Sequence, residues 1–172
     1  LIINGEDRTD EEFYSFSNHH QYGVRYRCAT LSLYRFKTFL LKKMIAEGKG
    51  GSKDLEEKTK KLAQLESLDY RVSEGARGQG PRIEKFWEDW KKYYGESGFV
   101  NPRGDRLLTE LALRGLKELR PRLMMINYQD PDYVHWGIAD HYTRALGVID
   151  EGLSRLSAAI QADPEYRETT AL

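Results

Sequence analysis

The residues with the clearest capacity for chemistry sit in one short stretch, Asn127-Tyr128-Gln129-Asp130-Pro131-Asp132-Tyr133-Val134-His135-Trp136-Gly137. Two carboxylates and one imidazole fall within six positions. Carboxylate oxygen and imidazole nitrogen are good ligands for zinc, manganese or iron. Pro131 stiffens the turn between the two acids, and Gly137 allows the backbone to fold back closely. The pattern predicts a divalent-metal site drawing on Asp130, Asp132 and His135. A plainer reading stands beside it. Asp-Pro-Asp is also a common turn and helix-capping sequence, and a histidine flanked by tyrosine and tryptophan is often only packed.

Positioning such a loop requires regular elements on both sides. Leu123-Met124-Met125-Ile126 is a continuous apolar run, as expected of a strand buried on both faces. The loop follows its carboxyl end, where open α/β sheets hold their ligands. From Ala139 a helical period takes over through Tyr142, Leu146, Ile149, Leu153, Leu156 and Ile160, and Asp163-Pro164 closes it. Thr169 to Leu172 reads as the approach to a further strand.

The upstream chain supplies mainly helices. Leu1 to Ile3 is β-prone and ends at the Asn4-Gly5 turn signal. Thr9 or Asp10 caps a short expected helix, and Val24 to Cys28 alternates like a strand. Leu33, Phe36, Leu40 and Met44 mark one helix, ended by Gly48-Lys49-Gly50-Gly51-Ser52. Residues 53–72 form a charged helix with a narrow leucine stripe, suited to a helical hairpin. A glycine loop from Gly75 to Gly80 precedes a helix with Ile83, Phe86, Trp87, Trp90 and Tyr94 on one side. After the turn-rich Gly95–Gly104 break, Asp105 caps a fourth helix that Pro121 stops. Helix then strand on both sides of one loop predicts an α/β class with a parallel sheet. The expected organisation is a single domain over 1–172, or part of a larger one. Within it, 30–120 forms a helical insertion or cap and 122–172 the strand–loop–helix segment.

Bulk properties narrow the function classes. The chain has 172 residues, 27 Lys plus Arg and 27 Asp plus Glu, for a formal net charge of zero. That balance lacks the basic excess of a dedicated nucleic-acid binder. The single Cys28 excludes an internal disulfide and a Cys-rich zinc site within the chain. No apolar run approaches the roughly 20 residues of a membrane span. The Leu-Ile-Ile start lacks an initiator Met and a signal-peptide pattern, as in a mature chain or a piece of something longer.

Other constellations carry weaker signals. His19-His20 follows Glu11 and Glu12, but adjacent histidines in a polar loop are more often solvated. His141, in the first turn of the last long helix, either reaches back toward Asp130 or lies on the helix surface. Gly48-Lys49 lacks the spaced glycine of a P-loop, and Gly75-Ala-Arg-Gly-Gln-Gly is not a dinucleotide fingerprint. Arg77 and Arg82 beside those glycines would meet an anion or simply solvent. The Trp87, Trp90 and Tyr94 stripe reads as core.

Across Leu123–Thr170 the order of elements resembles the middle of alkaline-phosphatase-superfamily enzymes, which include phosphodiesterases, sulfatases and phosphopentomutases. In those a buried strand ends in a metal-binding Asp and, a few residues on, a metal-binding His. A long helix follows, with an apolar-Asp pair near its middle, and then a short segment ending in Thr. The corresponding residues here are Leu-Met-Met-Ile-Asn-Tyr, Asp130-Pro-Asp132-Tyr-Val-His135-Trp-Gly137, Ile149-Asp150-Glu151-Gly152 and Tyr166-Arg-Glu-Thr-Thr170. The usual Asp-to-His spacing is four; here Asp132 lies three and Asp130 five positions before His135, and the resemblance implies Asp132 with His135 as the ligands and Asp130 as the second choice of carboxylate. The resemblance implies a fragment of a three-layer α/β hydrolase acting on a small anionic phosphate or sulfate ester. It implies a divalent metal, zinc first, with manganese or calcium as alternatives, and an extracytoplasmic or periplasmic setting. It also implies a Thr or Ser nucleophile and further Asp and His ligands that no motif identifies in this chain; Thr30 and Ser32 merely sit near a strand end. The competing expectations are a non-catalytic helical interaction module and a degenerate superfamily member without the site.

Overall fold

The computed structural model describes residues 1–4, 30–48, 50–67, 81–97 and 104–172. The chain divides into two compact units, Leu1–Gly5 with Arg103–Leu172, and Glu6–Pro102.

In the Glu6–Pro102 unit, strand β2 (Thr30–Ser32) runs directly into helix α1 (Leu33–Ala46). Helices α2 (Ser52–Ser67) and α3 (Pro81–Tyr94) follow. The helical spacings read from sequence place Leu33, Phe36, Leu40 and Leu41 of α1 in the core. Ile83, Phe86, Trp87 and Trp90 of α3 join them. Phe36 meets Trp87 with ring centroids at 5.5 Å and Trp90 edge-on at 6.3 Å. Trp90 packs in turn on Tyr94 at 4.0 Å. The aromatic stripe is therefore a helix–helix interface, as its period predicts. Helix α2 packs on α1 as a hairpin, and Lys42 pairs with Glu66 at 2.7 Å across it.

The other unit carries the loop of interest. Strand β1 (Ile2–Asn4) pairs in parallel with β3 (Met125–Asn127), Ile3 opposite Ile126 and Asn4 opposite Asn127. Helix α4 (Asp105–Leu119) precedes β3. A 3-10 helix (Asp130–Trp136), the long α5 (Ala139–Ala162) and the short α6 (Pro164–Arg167) follow it. Leu108, Leu111 and Ala112 of α4 are fully buried, and Ala145, Leu156 and Ile160 of α5 nearly so. Ion pairs from Arg155 to Glu110 and Arg106 to Glu151 tie the same two helices at the surface.

The expected α/β three-layer class is corrected: the fold is mostly helical. Each described strand is three residues long, and the cores are built where amphipathic helix faces meet. A strand buried on both faces needs a layer on each side. Here Leu123 is 55% and Met125 38% exposed, so the apolar run has no second layer over it. The strand itself also starts two residues late, at Met125. Thr169–Leu172 forms a turn and an irregular tail rather than a strand.

One close approach decides how α4, β3 and α5 fit together. A Cβ added to buried Gly152 of α5 would fall 2.6 Å from Thr109 Oγ1 and 3.0 Å from the Tyr128 hydroxyl. Those two oxygens are hydrogen-bonded at 2.9 Å. Gly152→Ala is expected to lower stability by about 1 kcal/mol net, overpacking outweighing the helix-propensity gain of alanine. Urea denaturation checks this, and the cost shrinks in a Tyr128→Phe background if the hydroxyl is the obstacle.

Candidate metal centre

The loop begins where β3 ends. Its first turn is a 3-10 helix with Pro131 at the second position, where a missing N–H costs nothing. Gly137 ends it with φ 81°, a left-handed conformation that glycine reaches without penalty, and its N–H returns to the Val134 carbonyl at 2.9 Å.

The 3-10 geometry accounts for the three-residue spacing between the candidate ligands. At three residues per turn, positions i and i+3 eclipse; in an α-helix the neighbour would be nearer i+4. Asp132 and His135 accordingly stand on one side of the turn, with Asp132 Oδ1 at 3.1 Å from His135 Nε2. Both side chains face solvent, 63% and 75% exposed. Two ligands bound at about 2.0–2.1 Å on a tetrahedral zinc lie about 3.3 Å apart, so the pair fits one edge of such a site in kind and in spacing. It falls short in number. Among the described residues no cluster of three or more His, Cys, Asp or Glu is arranged to hold a metal ion.

Asp130 is differently engaged. Its carboxylate accepts the backbone N–H of Asp105 at 3.1 Å, satisfying an open donor at the start of α4. In return the Asp105 carboxylate accepts the backbone N–H groups of Gln129 at 2.8 Å and Asp130 at 2.9 Å. The two aspartates thus cap each other's segments across 25 positions. Asp105 is completely buried. Burial pushes its carboxyl up to about 6, against the opposing pull of the two amides and with a further upward push from the Asp130 charge. No sequence signal marks this clasp, because Asp105 reads locally as the cap of its own helix. Beside it, burial also raises the Tyr128 hydroxyl above its ordinary range, while the bond to Thr109 pulls it back.

Of the remaining candidates in this unit, His141 does not join the pair. His141 is exposed in the first turn of α5, with no hydrogen bond or ion pair from its side chain to Asp130 or Asp132. Arg82 is exposed at the start of α3. Glu11, Glu12, His19, His20, Cys28 and Arg77 lie outside the described residues. At the other end of α5, Arg120 takes a left-handed conformation (φ 52°) and pairs with Asp163 and Glu165 while lying over the Tyr166 ring at 4.3 Å. The guanidinium holds the Asp163 carboxyl down at about 2. Asp163 also caps α6 by accepting from the Glu165 and Tyr166 N–H groups. This cluster borders a groove of about 310 Å³ floored by Leu113, Leu116, Ala159 and Ala162. Among the described residues no helix is long and apolar enough to cross a membrane.

Compared with known proteins, the chain matches no family model, no curated protein and no solved structure.

Proposed function

We propose that Asp132 and His135 form one edge of a divalent-metal site in a hydrolase of phosphate or sulfate esters, of the alkaline-phosphatase type that the sequence resembles. The eclipsed pair on an exposed 3-10 turn is the observation that carries this reading. The strand geometry supports it. Parallel β1 and β3 bring their carboxyl ends to one edge, Asn4 beside Asn127, and the turn leaves from that edge.

A bound zinc or manganese would polarise the ester oxygen and lower the pKa of the attacking group. The chain's own part is narrower. His135 Nε2 and Asp132 Oδ1 would hold the metal, and Gly137 and Pro131 shape the turn that carries them. The reading requires more ligands than these two.

Metal content of the purified protein tests it. Wild type is expected to retain zinc or manganese after dialysis and His135→Ala to retain little, since one of the two identified ligands is gone. Equal and negligible metal in both would sink the assignment. A second reading, a non-catalytic helical interaction module, is favoured by the exposed apolar side of α5, where Tyr142, Leu146 and Leu153 are 40–48% exposed. That reading expects no metal in either protein.

A further inference from the structure

We infer that the exposed apolar line of α5 is a self-association face: two copies of this chain pair antiparallel along Tyr142, Leu146, Ile149 and Leu153. Such pairing rests on the interaction-module reading, gives that module its partner, and is independent of metal at the turn.

Helix α5 is apolar along two adjacent lines. Ala145, Gly152 and Leu156 are buried, and this line meets α4, with Gly152 against Thr109. In the neighbouring line Tyr142, Leu146 and Leu153 are exposed and Ile149 is half-buried. The two shoulders of the α4 contact therefore differ. One carries the ion pairs of Glu151 with Arg106 and of Arg155 with Glu110. The other is the apolar line. Beyond it, at about 100° per residue, stand Ala139, Thr143, Gly147, Asp150, Ser154 and Ser157. None of these is a lysine or an arginine, whose long stems ordinarily shield an exposed apolar stripe. Small side chains on that flank let a second helix come close, and a Cβ added to Gly147 would meet nothing within 4 Å.

The spacing selects the partner. Tyr142, Leu146, Ile149 and Leu153 are separated by four, three and four residues. That alternation is the seam of a two-helix coiled coil. It also reads the same in both directions. An antiparallel copy sets Tyr142 against Leu153 and Leu146 against Ile149, each twice about a two-fold axis, and no residue of the seam is left over. The one charge on the flank fits the same register. Asp150 then comes nearest to Thr143 of the second copy, whose hydroxyl can donate to the carboxylate. Within its own helix that hydroxyl reaches the Ala139 carbonyl at a long 3.4 Å. Parallel pairing would instead set Asp150 against Asp150, a repulsive contact. Four seam residues per helix make a small interface, so the dimer belongs to the weak, concentration-dependent class.

Sedimentation equilibrium of the full chain tests this on wild type, Tyr142→Lys, Leu153→Glu and the double variant. Both positions are exposed, and lysine and glutamate are good helix formers, so the fold is kept; far-UV circular dichroism verifies it. Wild type is expected to be half dimeric at about 10–100 μM. Each single substitution sets a charge against an apolar side chain across the seam and weakens the dimer at least about tenfold. The double variant recovers most of the loss, because the new cation of one copy faces the new carboxylate of the other at both ends. The two sites lie about three turns apart on one helix and cannot pair within a chain. Monomeric wild type through the millimolar range overturns the pairing; the interaction-module reading itself falls only to metal retained by wild type and lost in His135→Ala. A dimer that Leu153→Glu leaves intact overturns the pairing too, since another face would then hold the copies. Weakened single variants with no recovery in the double variant overturn it as well, because the antiparallel register requires that recovery.

Discussion

Trp90→Ala is expected to lower the stability of the Glu6–Pro102 unit by about 3–5 kcal/mol, the range for removing a fully buried large aromatic side chain. Trp90 is 0% exposed and lies between α1 and α3, touching Phe36, Phe86 and Tyr94. Alanine leaves a cavity that three rings on two rigid helices cannot close. The indole Nε1 has no hydrogen-bond partner among the described residues, so the loss is one of packing rather than of a polar bond. Trp90→Phe should therefore recover most of the stability, costing about 1–2 kcal/mol. Urea denaturation followed by far-UV circular dichroism separates the two. A phenylalanine variant as weak as the alanine one would show that the indole N–H has a structural partner after all.

The second large effect is a pH dependence centred on Asp105. In the folded protein its carboxyl titrates at about 6, against 3.8 when unfolded. Between those values the native state holds a proton that the unfolded chain has lost. Stability from this group is complete below about pH 4 and declines as pH rises through 6. The shift of about two pK units corresponds to about 3 kcal/mol. The cause is the cost of ionising a carboxyl without water or a cation beside it; the two amides offset only part of that cost, and Asp130 adds repulsion. Asp163 behaves oppositely. Arg120 depresses its carboxyl to about 2, so its stabilisation is present above about pH 4 and is lost as pH falls through 2. The windows do not overlap. Subtracting the stability–pH curve of Asp105→Asn from that of wild type isolates the first. The difference should fall by about 3 kcal/mol from pH 4 to 7. A flat difference would mean that the buried carboxyl ionises without penalty.

These two expectations also show how unevenly the molecule is written in its sequence. The helices were legible because their apolar residues recur at helical spacing, and burial of one face is a local property of that spacing. Leu33–Ala46, Pro81–Tyr94, Asp105–Leu119 and Ala139–Ala162 all form where the period demands, and Trp87 and Trp90 are core as their stripe implies. The strand after Pro121 was legible in kind but not in setting. An apolar tetrapeptide carries no information on how many layers will cover it, and here Leu123 is left in solvent.

For the candidate centre, residue type alone determined which groups have metal-ligand chemistry: Asp130, Asp132 and His135. Tertiary structure decided their employment. The 3-10 winding of Asp130–Trp136 brings Asp132 and His135 onto one side of the turn, one full 3-10 turn apart. The contact with α4 draws Asp130 into capping an amide 25 residues upstream and gives Asp105 a task that its own helix conceals. Capping and clamping depend on which backbone donors are left open when segments meet. That is a property of the assembled fold, and no window of sequence contains it.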